Sequence, residues 1–210
     1  MWETFDVDPV RKSSLSSERV RLRPLSADDM PDHLRWRNDP EVAYWATAGD
    51  ITFWPVATGA VEGWFSAVLP TLDPRREAVW AIDLADGHHI GMIDYRDVDP
   101  VVRSATVGIT IGERALWGQG YGSEALSLLV SHLFDHLNLR RIQLDTWSGN
   151  ERAMRLFTKL GFVEEGRLRE AVRIPGGYAD SVIMGLLRTE WKPARPPSRP
   201  PRPGEPAPTR

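Results

Sequence analysis

The stretch TVGITIGERALWGQGYGSEA, residues 106–125, restricts the fold of this chain more than any other. Val107, Ile109 and Ile111 alternate with smaller residues, the period of a strand with one buried face. The strand ends in Gly112, a loop follows with Gly118, Gly120 and Gly122, and a long helix begins at Tyr121. In it Leu126, Leu129, Val130, Leu133, Phe134 and Leu137 form one continuous stripe at helical spacing over Tyr121–Leu137. A strand, a glycine loop and a helix start together make a cradle for a diphosphate. The glycines let a ligand approach the backbone, and the first turn aims unpaired N–H groups and a positive dipole end at it. A turn that serves only strand-to-helix geometry has the same residues. The Rossmann pattern G-x-G-x-x-G fails on spacing, and the P-loop fails for want of Gly-Lys-Ser/Thr.

The remaining sequence fits one α/β domain. At 210 residues the chain is long enough for a sizeable core. Hydrophobic residues at 41% and charged ones at 26% argue against both disorder and a membrane protein. The longest apolar runs, such as 125–130, are too short to span a bilayer. The start, MWETFD, has no apolar segment of a secretory signal, so a cytoplasmic location is expected. The lack of cysteine excludes disulfides, thiolate metal ligands and a Cys nucleophile. A net charge of −3 gives no reason to expect nucleic acid as a partner. Residues 1–18 read as a flexible arm and 19–191 as the domain. Residues 192–210 read as a disordered tail, since eight prolines and four arginines from Pro193 onward leave no large apolar residue to bury.

Within the domain the expected order is β-α-α-β-β-β-α-β-α-β-β. Strands are expected at Val20–Leu25, Ala78–Leu84, Ile90–Tyr95, Ala105–Ile111, Arg141–Thr146, Gly166–Ile174 and Tyr178–Leu187. A short helix opens at Ser26 and is broken by Asn38-Asp39-Pro40. A loop with Tyr44, Trp45, Phe53 and Trp54 follows, then a second short helix with Trp64, Phe65 and Leu69. Asn150–Leu160 reads as a helix closed by Gly161. Hairpins combined with one helical crossover imply a mixed sheet with helices on both faces.

Trp117-Gly118-Gln119-Gly120-Tyr121-Gly122, followed by Ser123-Glu124-Ala125, resembles the acyl-CoA loop of the GNAT acetyltransferases. It is most similar to the branch of ribosomal-protein N-terminal acetyltransferases. Asn150-Glu151-Arg152-Ala153 leading to Leu160-Gly161-Phe162 resembles the family's Asn-x-x-Ala…Leu-Gly-Phe segment. Asn38-Asp39-Pro40-Glu41-Val42 and Tyr178-Ala179-Asp180 suit the same branch. The resemblance implies an α/β (α+β) fold with a mixed, mostly antiparallel sheet of about seven strands, splayed in a V between strands 4 and 5. It implies acetyl-CoA as co-substrate, its pantetheine arm in the splay against the backbone of Ile109 and Ile111. Its pyrophosphate would sit on the N–H groups of Gln119, Gly120, Gly122 and Ser123, in the loop that also holds Trp117, Gly118 and Tyr121. Asn150 would reach the pantetheine, or simply cap its helix, and Phe157 would line the thioester end.

Acyl transfer requires an amine to lose a proton and the thioester carbonyl to be polarised. A backbone N–H of Ile109 or Ile111 suits the second task. For the proton, Asp145 stands where some relatives carry a carboxylate, facing away from Ile142 and Leu144; Glu113 is a second candidate and a water chain a third. Many relatives place a Tyr where this chain has Phe157, which cannot protonate the departing thiolate. Two readings follow. One is an N-acetyltransferase acting on a protein N-terminus or a small amine by direct attack in a ternary complex, as a monomer or homodimer. The other is a non-catalytic acyl-CoA sensor. Trp36, Tyr44, Trp45, Phe53, Trp54, Trp64 and Phe65 suggest a partly apolar acceptor cleft. His132 and His136, at i and i+4, read as a solvated face rather than a metal site, and His88-His89 as an exposed turn.

Overall fold

The computed structural model describes residues 15–46 and 55–192. The expected termini, together with Phe53 and Trp54, fall mostly outside that range. Residues 15–18 fall inside it and lie on the domain: Ser16 bridges to Arg21 and Leu15 packs against the core.

Seven strands form one sheet: β1 (Val20–Pro24), β2 (Ala78–Leu84), β3 (His89–Asp99), β4 (Ser104–Ile111), β5 (Arg141–Trp147), β6 (Val163–Ile174) and β7 (Gly177–Leu187). Their spatial order is β1-β2-β3-β4-β5-β7-β6. Every neighbouring pair is antiparallel except β4–β5, which is parallel. That pair is joined only at its start, through Ser104↔Arg141, Ala105↔Ile142 and Thr106↔Gln143. Beyond Thr106, β4 keeps its pairing with β3 out to Ile111, and β5 keeps its pairing with β7 out to Trp147. The two strands therefore diverge, and the expected V opens between them.

The helices are α1 (Met30–Arg37), α2 (Pro40–Ala46), α3 (Thr58–Gly63), α4 (Tyr121–Asp135) and α5 (Glu151–Lys159). The alternation of β2 shows that they cover both faces. Ala78 and Ile82 join the main core with the α4 stripe, whereas Ala81 meets Val61 and Phe65 beside α3. Leu126, Leu129, Val130 and Leu133 have no exposed surface. Burying each stabilises the fold by about 1.5–3 kcal/mol, so α4 is fixed firmly on the sheet.

Two expectations are corrected. Tyr44 and Trp45 lie on a helix, α2, not in a loop. Asp39-Pro40 ends α1 but also starts α2: Asp39 Oδ1 accepts the N–H groups of Glu41 (2.9 Å) and Val42 (3.1 Å), and proline suits a first helical position. His89 is buried rather than exposed. Its Nδ1 lies 3.0 Å from Asp32 Oδ2 on α1 and its Nε2 3.0 Å from the Gly91 carbonyl oxygen. A register shift at Ile82/Asp83 accompanies this inward turn, while His88 stays outside.

Candidate active site

The glycine loop is folded back onto the end of β4. The N–H of Gly112 bonds the Ile90 carbonyl (2.9 Å), and the Trp36 ring occupies the space where a Gly112 Cβ would stand. The Trp117 indole N–H then donates to the Ile111 carbonyl at 2.7 Å. Gly118 (φ 76°) and Gly120 (φ 90°) are left-handed, which glycine adopts without strain. Gly120 caps α4, whose first intrahelical bond runs from Glu124 N–H to the Gly120 carbonyl (3.1 Å). The N–H groups of Tyr121, Gly122 and Ser123 thus have no partner within the helix and point outward with the positive dipole end. Arg19 braces the loop. It donates to Glu124 (2.9 Å) and to the Gln119 carbonyl (3.2 Å), and its guanidinium lies 4.9 Å from the Tyr121 ring centre.

Alternation along β4 sets what lines the V. The N–H of Gly112 turns to β3, so Ile109 and Ile111 direct their backbone groups the other way, into the gap. The Ile111 carbonyl is taken by Trp117 there. The side chains of Ile109 and Ile111 lean toward Gly122, where an added Cβ would stand 3.8 and 3.6 Å from them and 3.1 Å from Leu156. A side chain at position 122 would therefore close the gap between β4, α4 and α5.

A cavity of about 270 Å³ occupies this place. It brings together Ile109, Ile111, Trp117, Gly118, Gly120, Tyr121, Gly122, Ser123, Asn150 and Phe157 of the sequence-predicted set. Gln119, Asp145 and Glu113 are not among its lining. Asn150 is buried and caps α5, its Oδ1 accepting the Ala153 N–H at 3.2 Å. Its Nδ2 has no partner among the described residues. Phe157 is buried, 6.1 Å from Phe162 between ring centres.

The cavity also holds residues that the sequence reading passed over, chiefly Arg152, Lys159 and Thr110. Arg152 lies 4.0 Å over the Trp117 ring and 5.4 Å from that of Trp45, a cation between two indoles. Burial lowers its pKa, Glu41 opposes this through space, and no carboxylate salt-bridges it among the described residues. One signal for it existed: a cation in the first turn of a helix opposes the macrodipole and calls for another reason to be there.

Glu113 is engaged elsewhere. Burial pushes its carboxyl up, but hydrogen bonds from Arg35 (2.5 Å) and the Trp36 indole (3.1 Å) outweigh this and hold it below the usual range. Asp145 is exposed on β5, on the face opposite Ile142 and Leu144. Trp147 lies on the same side, stacked on Trp45 (5.4 Å, 19°) with Tyr44 edge-on to it (5.4 Å). His132 and His136 have ring centres 5.0 Å apart, and no group of three metal-ligating side chains occurs among the described residues.

Residues 19–163 match the family described as the acetyltransferase (GNAT) domain. The chain belongs to the GNAT acetyltransferase family. It is an enzyme of acyl transfer with acetyl-CoA as co-substrate. It is 33% identical over 109 residues to YdaF of Bacillus subtilis (strain 168), named provisionally as a ribosomal N-acetyltransferase; the match covers 52% of this chain and 59% of that protein. It is 26% identical over 177 residues to spermidine N(1)-acetyltransferase of Escherichia coli (strain K12), covering 84% and 90%. The crystal structure of Vibrio cholerae spermidine N-acetyltransferase in complex with CoA and spermine shares the fold, with a TM-score of 0.69, 24% identity and coverage of 81% and 96%. The GNAT cradle of this chain suits the co-substrate: outward N–H groups at the start of α4 match a diphosphate, and the unpaired edge of β4 matches an amide-bearing arm.

Proposed function

We propose that the chain is an N-acetyltransferase that moves acetyl from acetyl-CoA to a primary amine by direct attack in a ternary complex. The observation that carries this reading is the V between β4 and β5, whose cavity is lined by the first turn of α4 and by Trp45, itself stacked on Trp147. Co-substrate and acceptor then meet in the gap without a covalent enzyme intermediate, consistent with the absence of cysteine. The co-substrate supplies an activated acetyl thioester. Tyr121, Gly122 and Ser123 offer N–H groups to its diphosphate, Asn150 Nδ2 and the edge of β4 hold its arm, and Arg152 closes the site over Trp117.

The acceptor is an α-amine of a protein N-terminus or a small amine such as spermidine. The likeness to YdaF supports the first and that to spermidine acetyltransferases the second. No helix among the described residues is long and apolar enough to cross a membrane, which accords with work in the cytoplasm. The test is thiol release from acetyl-CoA over a panel of polyamines and peptides with free N-termini, beside direct acetyl-CoA binding. Turnover on at least one amine is expected. Tight binding with no turnover on any amine would instead favour a non-catalytic sensor, the role that Phe157 leaves open.

A further inference from the structure

On the face of the sheet that carries Thr110 and Trp147, Gly108 offers no side chain of its own and its neighbours fill the place. Ile109 and Ile111 project toward α4 and α5, where the co-substrate cradle lies, so Gly108 and Thr110 project to the opposite side. Asp94, on β3, is the residue paired with Gly108, and its carboxylate covers it: a Cβ on Gly108 would stand 2.5 Å from Asp94 Oδ2. Arg96 donates to Asp94 Oδ1 at 2.6 Å, which fixes the carboxylate, and Arg96 Nη1 also lies over Gly108, 3.0 Å from where a Cβ would stand, beside Asp94 Oδ2. The parallel register Thr106↔Gln143, carried two residues on, sets Asp145 across the V from Gly108. An ammonium group reaching the V from this face therefore meets Asp94 Oδ2 with the Arg96 guanidinium beside it, while Asp145 on the far strand is exposed to water. The Asp94 side chain is 17% exposed.

We propose that Asp94 takes the proton which the acceptor ammonium must lose, working across Gly108 at the point where β4 and β5 part. This rests on the acetyl transfer proposed above and names the base for it. The ammonium gives one proton to Asp94 Oδ2. The freed nitrogen lone pair forms the C–N bond to the acetyl carbon, and the C–S bond breaks with its electron pair leaving on sulfur. Of the two protons lost from nitrogen, one ends on sulfur as the free thiol and the other passes from Asp94 to water. Asp94, although paired with Arg96, suits the task better than the exposed Asp145 or than Glu113, whose carboxyl Arg35 and Trp36 hold below the usual range. Burial raises its pKa, Asp97 adds to this, and Arg96 opposes without cancelling it, which brings the carboxyl nearer the working pH of a base. The charged groups that act on it are Arg96 and Asp97, both on its own strand.

The experiment compares wild type with Asp94→Asn and Asp94→Glu in three readouts. The first is 13C NMR titration of the Asp94 carboxyl in the free protein. The second is the pH profile of kcat/KM for spermidine and for a peptide with a free N-terminus. The third is the Kd of acetyl-CoA. Asp94 is expected to titrate above the ordinary carboxylate range, at the pH of the acid limb of kcat/KM. Asp94→Asn should lose about 100-fold or more in kcat and lose that limb, with acetyl-CoA Kd unchanged within threefold. Asp94→Glu should keep the limb and recover at least tenfold over Asp94→Asn. An Asp94→Asn enzyme within threefold of wild type with the limb intact would overturn the proposal, as would two variants equally inactive with acetyl-CoA bound normally. A wild type that binds acetyl-CoA yet acetylates no amine would overturn the reading beneath it, a different result from either.

Discussion

His33 shows how much one buried residue can contribute to the pH response. It is 6% exposed, its Nε2 has no partner, and it packs against Trp36, Phe65 and His89. Burial, helped by His89, lowers its pKa from 6.5 to about 4, with Asp29 and Asp32 opposing and Arg37 adding to the fall. The sign follows from proton counts. Below pH 6.5 the unfolded chain protonates this histidine and the folded chain does not, so stability falls as pH falls, until about pH 4. Between pH 7.5 and 4.5 the loss attributable to His33 is about 2–3 kcal/mol. Urea unfolding of His33→Phe should show a pH slope smaller by that amount; an unchanged slope would reject it. Asn150 separates structure from binding in the same way. Asn150→Asp keeps the oxygen that accepts the Ala153 N–H and loses the free Nδ2, so Tm should hold while acetyl-CoA affinity drops about threefold to tenfold. Asn150→Ala should in addition cost about 0.5–2 kcal/mol of stability from the lost cap.

At the scale of elements, legibility followed how local the determining physics is. The α4 stripe and the glycines before it need only one strand, one loop and one helix, and the structure keeps them within two residues of the expected limits. Helix α2 was hidden because Asp39-Pro40 carries two messages, a stop for α1 and a start for α2. The burial of His89 depends on α1 docking from 57 residues away, which no local pattern records. Asp94 was hidden for a similar reason: alternation shows that it faces away from Ile93 and Tyr95, but only the β3–β4 register reveals that its neighbour is a glycine. The loop itself gives an element-scale test. Gly120→Ala forces an L residue to φ near 90° and should destabilise the protein by about 1–3 kcal/mol, measured by thermal unfolding. Gly122→Val has no such backbone problem, yet its side chain enters the gap beside Leu156, Ile111 and Ile109. It should weaken acetyl-CoA binding more than tenfold, read by calorimetry.

For the whole molecule, the decisive feature is a sheet that comes apart in the middle. Five neighbouring pairings hold strands β1 to β4 and β5 to β7 as two blocks, and the sixth, β4–β5, joins them only at the start of both strands. The V is thus built into the fold by the pairings on either side. The sequence resemblance implied it, but the residues of β4 and β5 alone do not, since both strands alternate without a break. A ligand bridging the two blocks should stabilise both. Acetyl-CoA at about 100 times its Kd adds about 2.7 kcal/mol, which for a chain of this length raises Tm by about 5–10 °C. The most direct measurement is a crystal structure of the protein with acetyl-CoA. Diphosphate oxygens within about 3 Å of the backbone nitrogens of Gly122 and Ser123, with the arm lying between β4 and β5, are the expected result. Diphosphate bound away from the start of α4, with those N–H groups left to water, would contradict it.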